Sequence, residues 1–458
     1  MNWNEGAYWD RPSLMWGESA GQGEVASNVS PFGHELQSLR QLSHQEIEKL
    51  FAPGEFRPFD LADAVERLKG LLQRHRSDLL PVLRGTTAFN HRDCEETLEG
   101  CISLLERIDT SPAENDSGYV HGGRRIATAS VPWGTVLSVL PQNAFLIMGI
   151  TSLVSGLAGG NRMILRVPTA SGWLGAIFGR LLLEAGFDPN SFSLVLGDAA
   201  QMVSGWEEAD HPVLLHYMGS SGRGGELLSK SFEAGQQCLI DGEGNAWVYI
   251  DADQDPETAA ETVWNGAIRY NGQTCTSVNG VVVHPSLESQ VVGKLRDLAA
   301  STSFGVSDDD AVGPLFSARQ SAAAEELVQG SKGRVGRRGQ IRVALFPPTL
   351  IENPLEDSDL VKRGVFAPAM WVRAGDFEEF RRLWRRNVYP LCAGVLSHRT
   401  EVQEGAIRLW GASRVVLNGD PSLEDPMEPW GGYPPCGSNV VSAWIPKYRR
   451  AVQIDSPG

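Results

Sequence analysis

Residues 135–167 read TVLSVLPQNAFLIMGITSLVSGLAGGNRMILRV. Thr135 to Leu140 and Met163 to Val167 are short apolar runs, and the apolar segment from Phe145 to Leu157 lies between them. One parallel sheet explains that alternation, with the middle segment crossing from one strand to the next. The trade of strand for helix continues downstream. A helix is expected from Ser171 to Ala185, with Trp173, Leu174, Ile177, Phe178, Leu181 and Leu182 on one face and Gly186 placed to stop it. Strands from Ser193 to Leu196, Val213 to Met218 and Ala246 to Ile250 then alternate with helices from Ala199 to Glu208 and Gly224 to Glu233. Such a run of β-α-β units puts ligands outside the carboxyl ends of the strands.

Ahead of this core, helical spacing of Leu61, Val65, Leu68 and Leu72, then Leu79, Leu80 and Leu83, predicts a helical region from Asp60 to about Arg107. Residues 1–55 show no periodicity and read as an irregular arm that wraps a neighbour or stays mobile. A second β-α region begins near Gly242, with helices from Pro256 to Tyr270 and Glu288 to Leu298 and strands from Gly280 to His284 and Arg414 to Asn418. Arg124 to Ser130 and Ser438 to Ile454 read as strands that extend a sheet, a common route to a symmetric oligomer. The division expected is an arm over 1–55, a first α/β domain over 56–117 and 136–240, oligomerisation strands over 118–135 and 437–458, and a second α/β domain over 241–436.

At 458 residues and 42% hydrophobic, the chain can bury a large core in more than one domain. Lys and Arg total 40 against 56 Asp and Glu, a formal charge of −16, so recognition of nucleic acid through a basic face is not expected. Arg381, Arg382, Arg385 and Arg386 form a local basic cluster, read as a solvated helix face. The six cysteines include no Cys-x-x-Cys pair, which argues against a disulfide framework and against a thiolate metal site; no metal is expected. The first ten residues carry neither a signal nor a transit pattern. The most apolar stretch, Ala144 to Ala158, is broken by Thr151, Ser152, Ser155 and Gly156. A cytoplasmic protein that does not enter the membrane is the expectation.

Four segments carry candidate chemistry. Asn271-Gly-Gln-Thr-Cys275-Thr-Ser follows directly on a helix, where its glycine permits a sharp turn and backbone amides could lower the thiol pKa; a buried structural cysteine is the alternative. Leu140-Pro-Gln-Asn143 ends a strand with an amide that either donates to an oxyanion or caps the following helix. Arg166 lies at another strand end, as a cation for a ribose or phosphate or as a plain surface charge. The turn Gly219-Ser220-Ser221-Gly222-Arg223-Gly224 offers amides to a pyrophosphate, although it matches neither common phosphate-loop pattern.

Taken in this order, the segments resemble the aldehyde dehydrogenase superfamily, over most of the chain from about Arg124 to the end. The resemblance matches the family's Pro-Trp-Asn-Phe segment to Pro141, Gln142, Asn143 and Ala144. Its Lys-Pro-Ser-Glu segment is similar to the stretch from Arg166 through Pro168 and Thr169, and its Gly-Ser-Thr-x-x-Gly turn to Gly219, Ser220, Ser221 and Gly224. Its Gly-Gln-x-Cys motif falls on Gly272, Gln273 and Cys275. Val365-Phe366-Ala-Pro368, Asn387-x-Tyr389 and Pro429-Trp-Gly-Gly-Tyr433 resemble later landmarks. The resemblance implies an α/β fold with a Rossmann-type cofactor domain, an α/β catalytic domain and a small β oligomerisation element. It implies Cys275 as nucleophile and Asn143 as oxyanion donor, with NAD or NADP held by Gln142, Arg166, Pro168, Thr169, Gly219, Ser220, Gly224 and Phe366.

Departures from the family pattern refine the expectation. The glutamate that activates water maps to Asp241 within Asp241-Gly-Glu243-Gly-Asn245, a form that looks more like the coenzyme-A-acylating branch. The glutamate at the adenosine ribose is replaced by Thr169, with Arg166 nearby, so NADP is at least as fitting as NAD. The glutamate at the nicotinamide ribose maps to Gly364. What the resemblance implies is an aldehyde dehydrogenase that passes its acyl group to coenzyme A or an acyl carrier protein, or the reverse reduction of an acyl-thioester, working as a homodimer or tetramer. The alternatives are an ordinary dehydrogenase that releases the acid, with Asp241 or Glu243 activating water, and a scaffold that has lost turnover. Trp133, Trp264, Tyr270 and Trp430 line an acyl tunnel or belong to the core.

Overall fold

The computed structural model describes residues 13–33, 35–111 and 117–457. Strands Thr135–Val139, Arg162–Arg166, Phe192–Val195, Val213–Met218 and Gln237–Asp241 run parallel in one sheet. Their spatial order places Thr135–Val139 between Val213–Met218 and Arg162–Arg166, so the winding reverses beside the first strand. At such a reversal the loops leave the carboxyl edge in opposite directions and open a crevice. The segments after Val139, Arg166, Met218 and Asp241 all emerge along that edge. Helix Phe145–Ala158 is apolar all round because the sheet covers one side and helices Leu61–Arg74 and His91–Arg107 the other.

The irregular arm expected over residues 1–55 is not what the described part shows. Strands Ser13–Met15 and Glu18–Ala20 extend the first sheet, Leu14 pairing with Leu194. The Ser13 hydroxyl accepts from the Leu196 amide at 2.9 Å, and the Arg162 guanidinium lies 3.6 Å from the Trp16 ring. Strands Val25–Val29 and Glu35–Arg40 pair with each other, and helix His44–Leu50 opens on a capping box of Ser43 and Glu46. Three-residue strands held by single anchors leave no period in the sequence, which is why they were not foreseen.

The second sheet runs Arg334–Arg337, Thr349–Glu352, Ala369–Ala374, Val278–Val283, Ala246–Ile250, Cys392–Leu396 and Arg414–Leu417, parallel except at its first pair. Ala246–Ile250, which the pattern placed at the end of the first run, is therefore a central strand here. The rings of Trp371 and Trp384 meet Trp247 edge-on at 4.9 and 5.7 Å and fill one face. Trp264 is core as well, its indole N–H donating to the Thr302 hydroxyl at 2.9 Å, so it lines no tunnel. The arginine cluster is a solvated face, as expected, on which three members also form ion pairs: Arg381 with Glu378, Arg382 with Glu379 and Glu356, and Arg386 with Asp357.

A third, antiparallel sheet joins Ser117–His121, Arg124–Pro132 and Arg449–Pro457. Of the terminal stretch expected to extend a sheet from Ser438 to Ile454, only the part from Arg449 does so, since Asn439–Ser442 pairs with Trp430–Gly432 and helix Trp444–Lys447 intervenes. Among the described residues no helix is long and apolar enough to cross a membrane.

Candidate active site

Helix Pro256–Ile268 ends two residues before the expected Tyr270, and the chain then takes three consecutive left-handed residues, Tyr270 (φ 52°), Asn271 (φ 57°) and Gly272 (φ 65°). Such a turn is strained for side-chain-bearing residues and persists only where its surroundings hold it. The Asp93 carboxylate accepts the Tyr270 amide at 2.8 Å. Asn271 is fully buried, its amide donating to the carbonyls of Ala88 and Pro314 while its oxygen accepts from the Gly313 amide. Gly272 is required: a Cβ there would stand 2.2 Å from the Ala367 carbonyl oxygen. The turn delivers Gln273, Thr274 and Cys275 to the start of strand Val278–Val283.

All six cysteines are free, and Cys275 is the one that is not buried. Partial exposure favours a reactive cysteine over a purely structural one. Its loop is packed on two sides: a Cβ on Gly244 would lie 2.0 Å from the Cys275 carbonyl oxygen, and Gly272 abuts the segment that carries Phe366. The Asn143 amide donates to the Gln273 carbonyl at 2.8 Å, placing the expected oxyanion donor against the cysteine loop. Helix Phe145–Ala158 has no side-chain cap, so the capping role for Asn143 falls away. The expectation of a lowered thiol pKa is corrected: local desolvation, reinforced by the negative charges of Glu424 and Asp241, pushes the Cys275 thiol well above its ordinary value. Its own backbone amide opposes this only weakly.

The carboxylates around the cysteine are disposed differently from what the motif register implied. Asp241 is tied on both oxygens, to His216 Nε2 at 2.7 Å and to Asn439 Nδ2 at 2.8 Å, and the other His216 nitrogen meets the Tyr448 hydroxyl at 2.8 Å. Burial raises the Asp241 carboxyl, but His216 and Lys447 outweigh it and hold it low. Glu243 sits at the start of helix Ser221–Glu233, where its carboxylate accepts the Ser221 amide at 3.0 Å and the Ser221 hydroxyl accepts the Glu243 amide at 3.0 Å. That helix begins three residues earlier than expected, and Ser220 gives it no side-chain cap.

All but Phe366 of the residues expected to hold a dinucleotide follow strands of the first sheet at its carboxyl edge. Arg166 ends its strand half-buried, with Nε donating to the Gly197 carbonyl at 3.2 Å, so it is no plain surface charge. Pro168 and Thr169 lead into helix Gly172–Ala185, and Gly219 and Ser220 lead into Ser221–Glu233. Gly224 packs on Ile240, where a Cβ would stand 2.7 Å from a methyl carbon. Glu243 serves as a test of fit, because an anionic group already rests on an amide of that helix N-terminus, where a phosphate oxygen would be received. Gln142 is half-buried beside Asn143, and Phe366 is 41% exposed at the rim. Gly364 has φ 77°, and a Cβ there would lie 2.1 Å from Asn279 Oδ1, so the missing ribose carboxylate has no room at that position.

Sequence reasoning missed Glu424. Its Oε1 accepts a hydrogen bond from the Thr276 hydroxyl at 2.5 Å, next to Cys275, across a separation of 148 residues and with no motif to signal it.

The model of the aldehyde dehydrogenase family matches residues 55–444. The 3-sulfolactaldehyde dehydrogenase of Priestia aryabhattai is 23% identical over 408 residues, covering 86% of this chain and 84% of that one. Aldehyde dehydrogenase 21 of Physcomitrella patens, solved with its reaction product succinate, superposes with a TM-score of 0.86 at 17% identity, covering 97% of each chain. The NADP-dependent glyceraldehyde-3-phosphate dehydrogenase of Bacillus halodurans, solved with NADP, gives 0.88 at 18% identity over 98% of this chain and all of that one. These structures share the α/β fold expected from the motifs.

Proposed function

The chain belongs to the aldehyde dehydrogenase family, and on that premise we propose that it oxidises a small-molecule aldehyde through a Cys275 thioester and passes the acyl group to a thiol, coenzyme A or an acyl carrier protein. The observation that carries this reading is the half-buried Cys275 on a loop whose Gln273 carbonyl accepts from the Asn143 amide, with Asp241 hydrogen-bonded on both carboxylate oxygens. Cys275 Sγ attacks the carbonyl carbon, and Asn143 Nδ2 and the Cys275 amide stabilise the oxygen as it gains charge. NAD or NADP supplies the hydride acceptor when bound. The thioester is then open to exchange, and a thiol needs less help from a base than water does.

A second reading, release of the free acid to water, is supported by the succinate found with the Physcomitrella neighbour. Product analysis separates the two. With a panel of aldehydes and NAD(P)+, acyl-thioester is expected to accumulate when coenzyme A is present. Formation of free acid at full rate without a thiol would remove the first reading in favour of the second.

Arg166 supports acceptance of NADP. Among the described residues its terminal nitrogens have no hydrogen bond, leaving them for a 2′-phosphate, and a charge-assisted contact of that kind contributes about 1.5–3 kcal/mol. Arg166→Ala is expected to raise the KM for NADP+ by roughly tenfold or more while that for NAD+ changes little. Equal effects on both cofactors in steady-state kinetics would refute the contact. Exposed Tyr119, Val120 and Ile454 on the third sheet support pairing with further copies of the chain, as a homodimer or tetramer.

A further inference from the structure

The loop from Asp420 to Pro429 follows strand Arg414–Leu417 and brings four carboxylates near the cysteine turn. Three are occupied. Asp420 Oδ1 accepts from the Ser422 amide and hydroxyl at 2.8 and 2.7 Å. Asp425 pairs with Arg107 through two bonds of 2.9 and 2.7 Å. Glu428 meets Arg414 Nε at 3.1 Å. Glu424 differs, because among the described residues its carboxylate has no cation within ion-pair distance, only the Thr276 hydroxyl on Oε1. Thr276 is fully buried and is the peptide neighbour of Cys275, so this bond fixes one carboxylate oxygen beside the nucleophile's own backbone. The outer side of the Glu424 residue is open to solvent.

Of the two carboxylates that the motif register offered, Asp241 is bonded on both oxygens, to His216 and Asn439, and Glu243 is turned through one oxygen to the Ser221 amide at a helix start, whereas Glu424 is bonded to the peptide neighbour of Cys275 itself. Resting on the thioester reading above, we propose that Glu424 is the general base of the second half-reaction, taking the proton of the nucleophile that releases the acyl group from Cys275. The lone pair of an incoming hydroxyl or thiol attacks the thioester carbon while its proton passes to Glu424 Oε2. The carbon–sulfur bond then breaks with its electron pair on sulfur, and Glu424 returns the proton to Cys275. Acyl-enzyme plus nucleophile becomes product plus thiol, with no redox partner required. Local desolvation also pushes the Glu424 carboxyl above its ordinary value. The charged and ionisable groups that face it are Arg414, which favours its anion, Glu428, which opposes it, the Tyr270 phenol and the thiols of Cys275 and Cys392.

The test uses p-nitrophenyl acetate, which acylates a reactive thiol without cofactor, on the full chain and on Glu424→Gln, at the alkaline pH where Cys275 reacts fastest, with and without coenzyme A as acceptor and against an enzyme-free blank. The variant keeps an oxygen for Thr276 and loses the base. A p-nitrophenolate burst followed by a steady phase is expected in both, the burst reporting acylation and the steady phase release. In Glu424→Gln the burst stays and the steady phase slows on the order of 100-fold, with acetyl-Cys275 accumulating by intact-protein mass spectrometry. A steady phase within a few-fold of the parent, or burst and steady phase slowed alike, would overturn the base assignment and leave the thioester reading standing. No acetyl adduct on Cys275 in the parent chain would sink both.

Discussion

Cys275→Ser is expected to eliminate NAD(P)+ reduction by aldehyde, with kcat/KM lower by at least about 10⁴-fold, because removal of a covalent nucleophile leaves only binding and oxyanion stabilisation. Serine preserves the volume and a donor, so the loss reports chemistry rather than packing. The residue is half-buried, and the strained turn that presents it is held by Asp93, Asn271 and Gly272 rather than by sulfur. The thermal midpoint should therefore stay close to that of the parent. The raised thiol pKa adds a second expectation with a definite sign. In the cofactor-free chain the thiol is protonated at neutral pH, so iodoacetamide alkylation of Cys275 should be slow there and climb steadily into the alkaline range. Turnover by Cys275→Ser within tenfold of the parent, or alkylation already maximal at neutral pH, would contradict the assignment.

The parts of this protein that were legible from sequence are those whose signal is local. Thr135 to Val167 announces a parallel unit because strands buried by helices are apolar along their whole length, and Met163, Ile164 and Leu165 are fully buried. Cys275 and Asn143 were legible through short motifs in a recognisable order. What escaped depends on distant partners. The engagement of Asp241 requires Asn439, 198 residues away, and Glu424 reaches Thr276 from 148 residues away. Glu243 illustrates the same point at shorter range, since a glutamate inside a glycine turn gives no sign that it will sit on a helix N-terminus 22 residues earlier. Strands Ser13–Met15 and Glu18–Ala20 were missed because three residues cannot display an alternation, and they take their conformation from the sheet edge they join.

Asn143→Ala separates the stabilising role of that amide from its chemical one by magnitude. As a hydrogen bond from a half-buried side chain to the Gln273 carbonyl, it contributes about 1 kcal/mol to stability, a change that a domain of this size absorbs with a small fall in thermal midpoint. As a donor to a developing oxyanion it is worth about 3 kcal/mol of barrier, or 10²–10³ in kcat. The expected result is a fall in kcat of that larger size, with KM for aldehyde little changed and Cys275 still alkylated at the parent rate. Asn143→Asp sharpens the argument, because the carboxylate keeps the shape, removes the donor and sets a negative charge where the oxyanion must form. It should be slower than Asn143→Ala, whereas a packing role would leave Asp the milder substitution. A kcat for Asn143→Ala within about fivefold of the parent, or a loss of alkylation that matches the loss of turnover, would assign the amide to holding the cysteine loop and leave the Cys275 amide as the oxyanion donor.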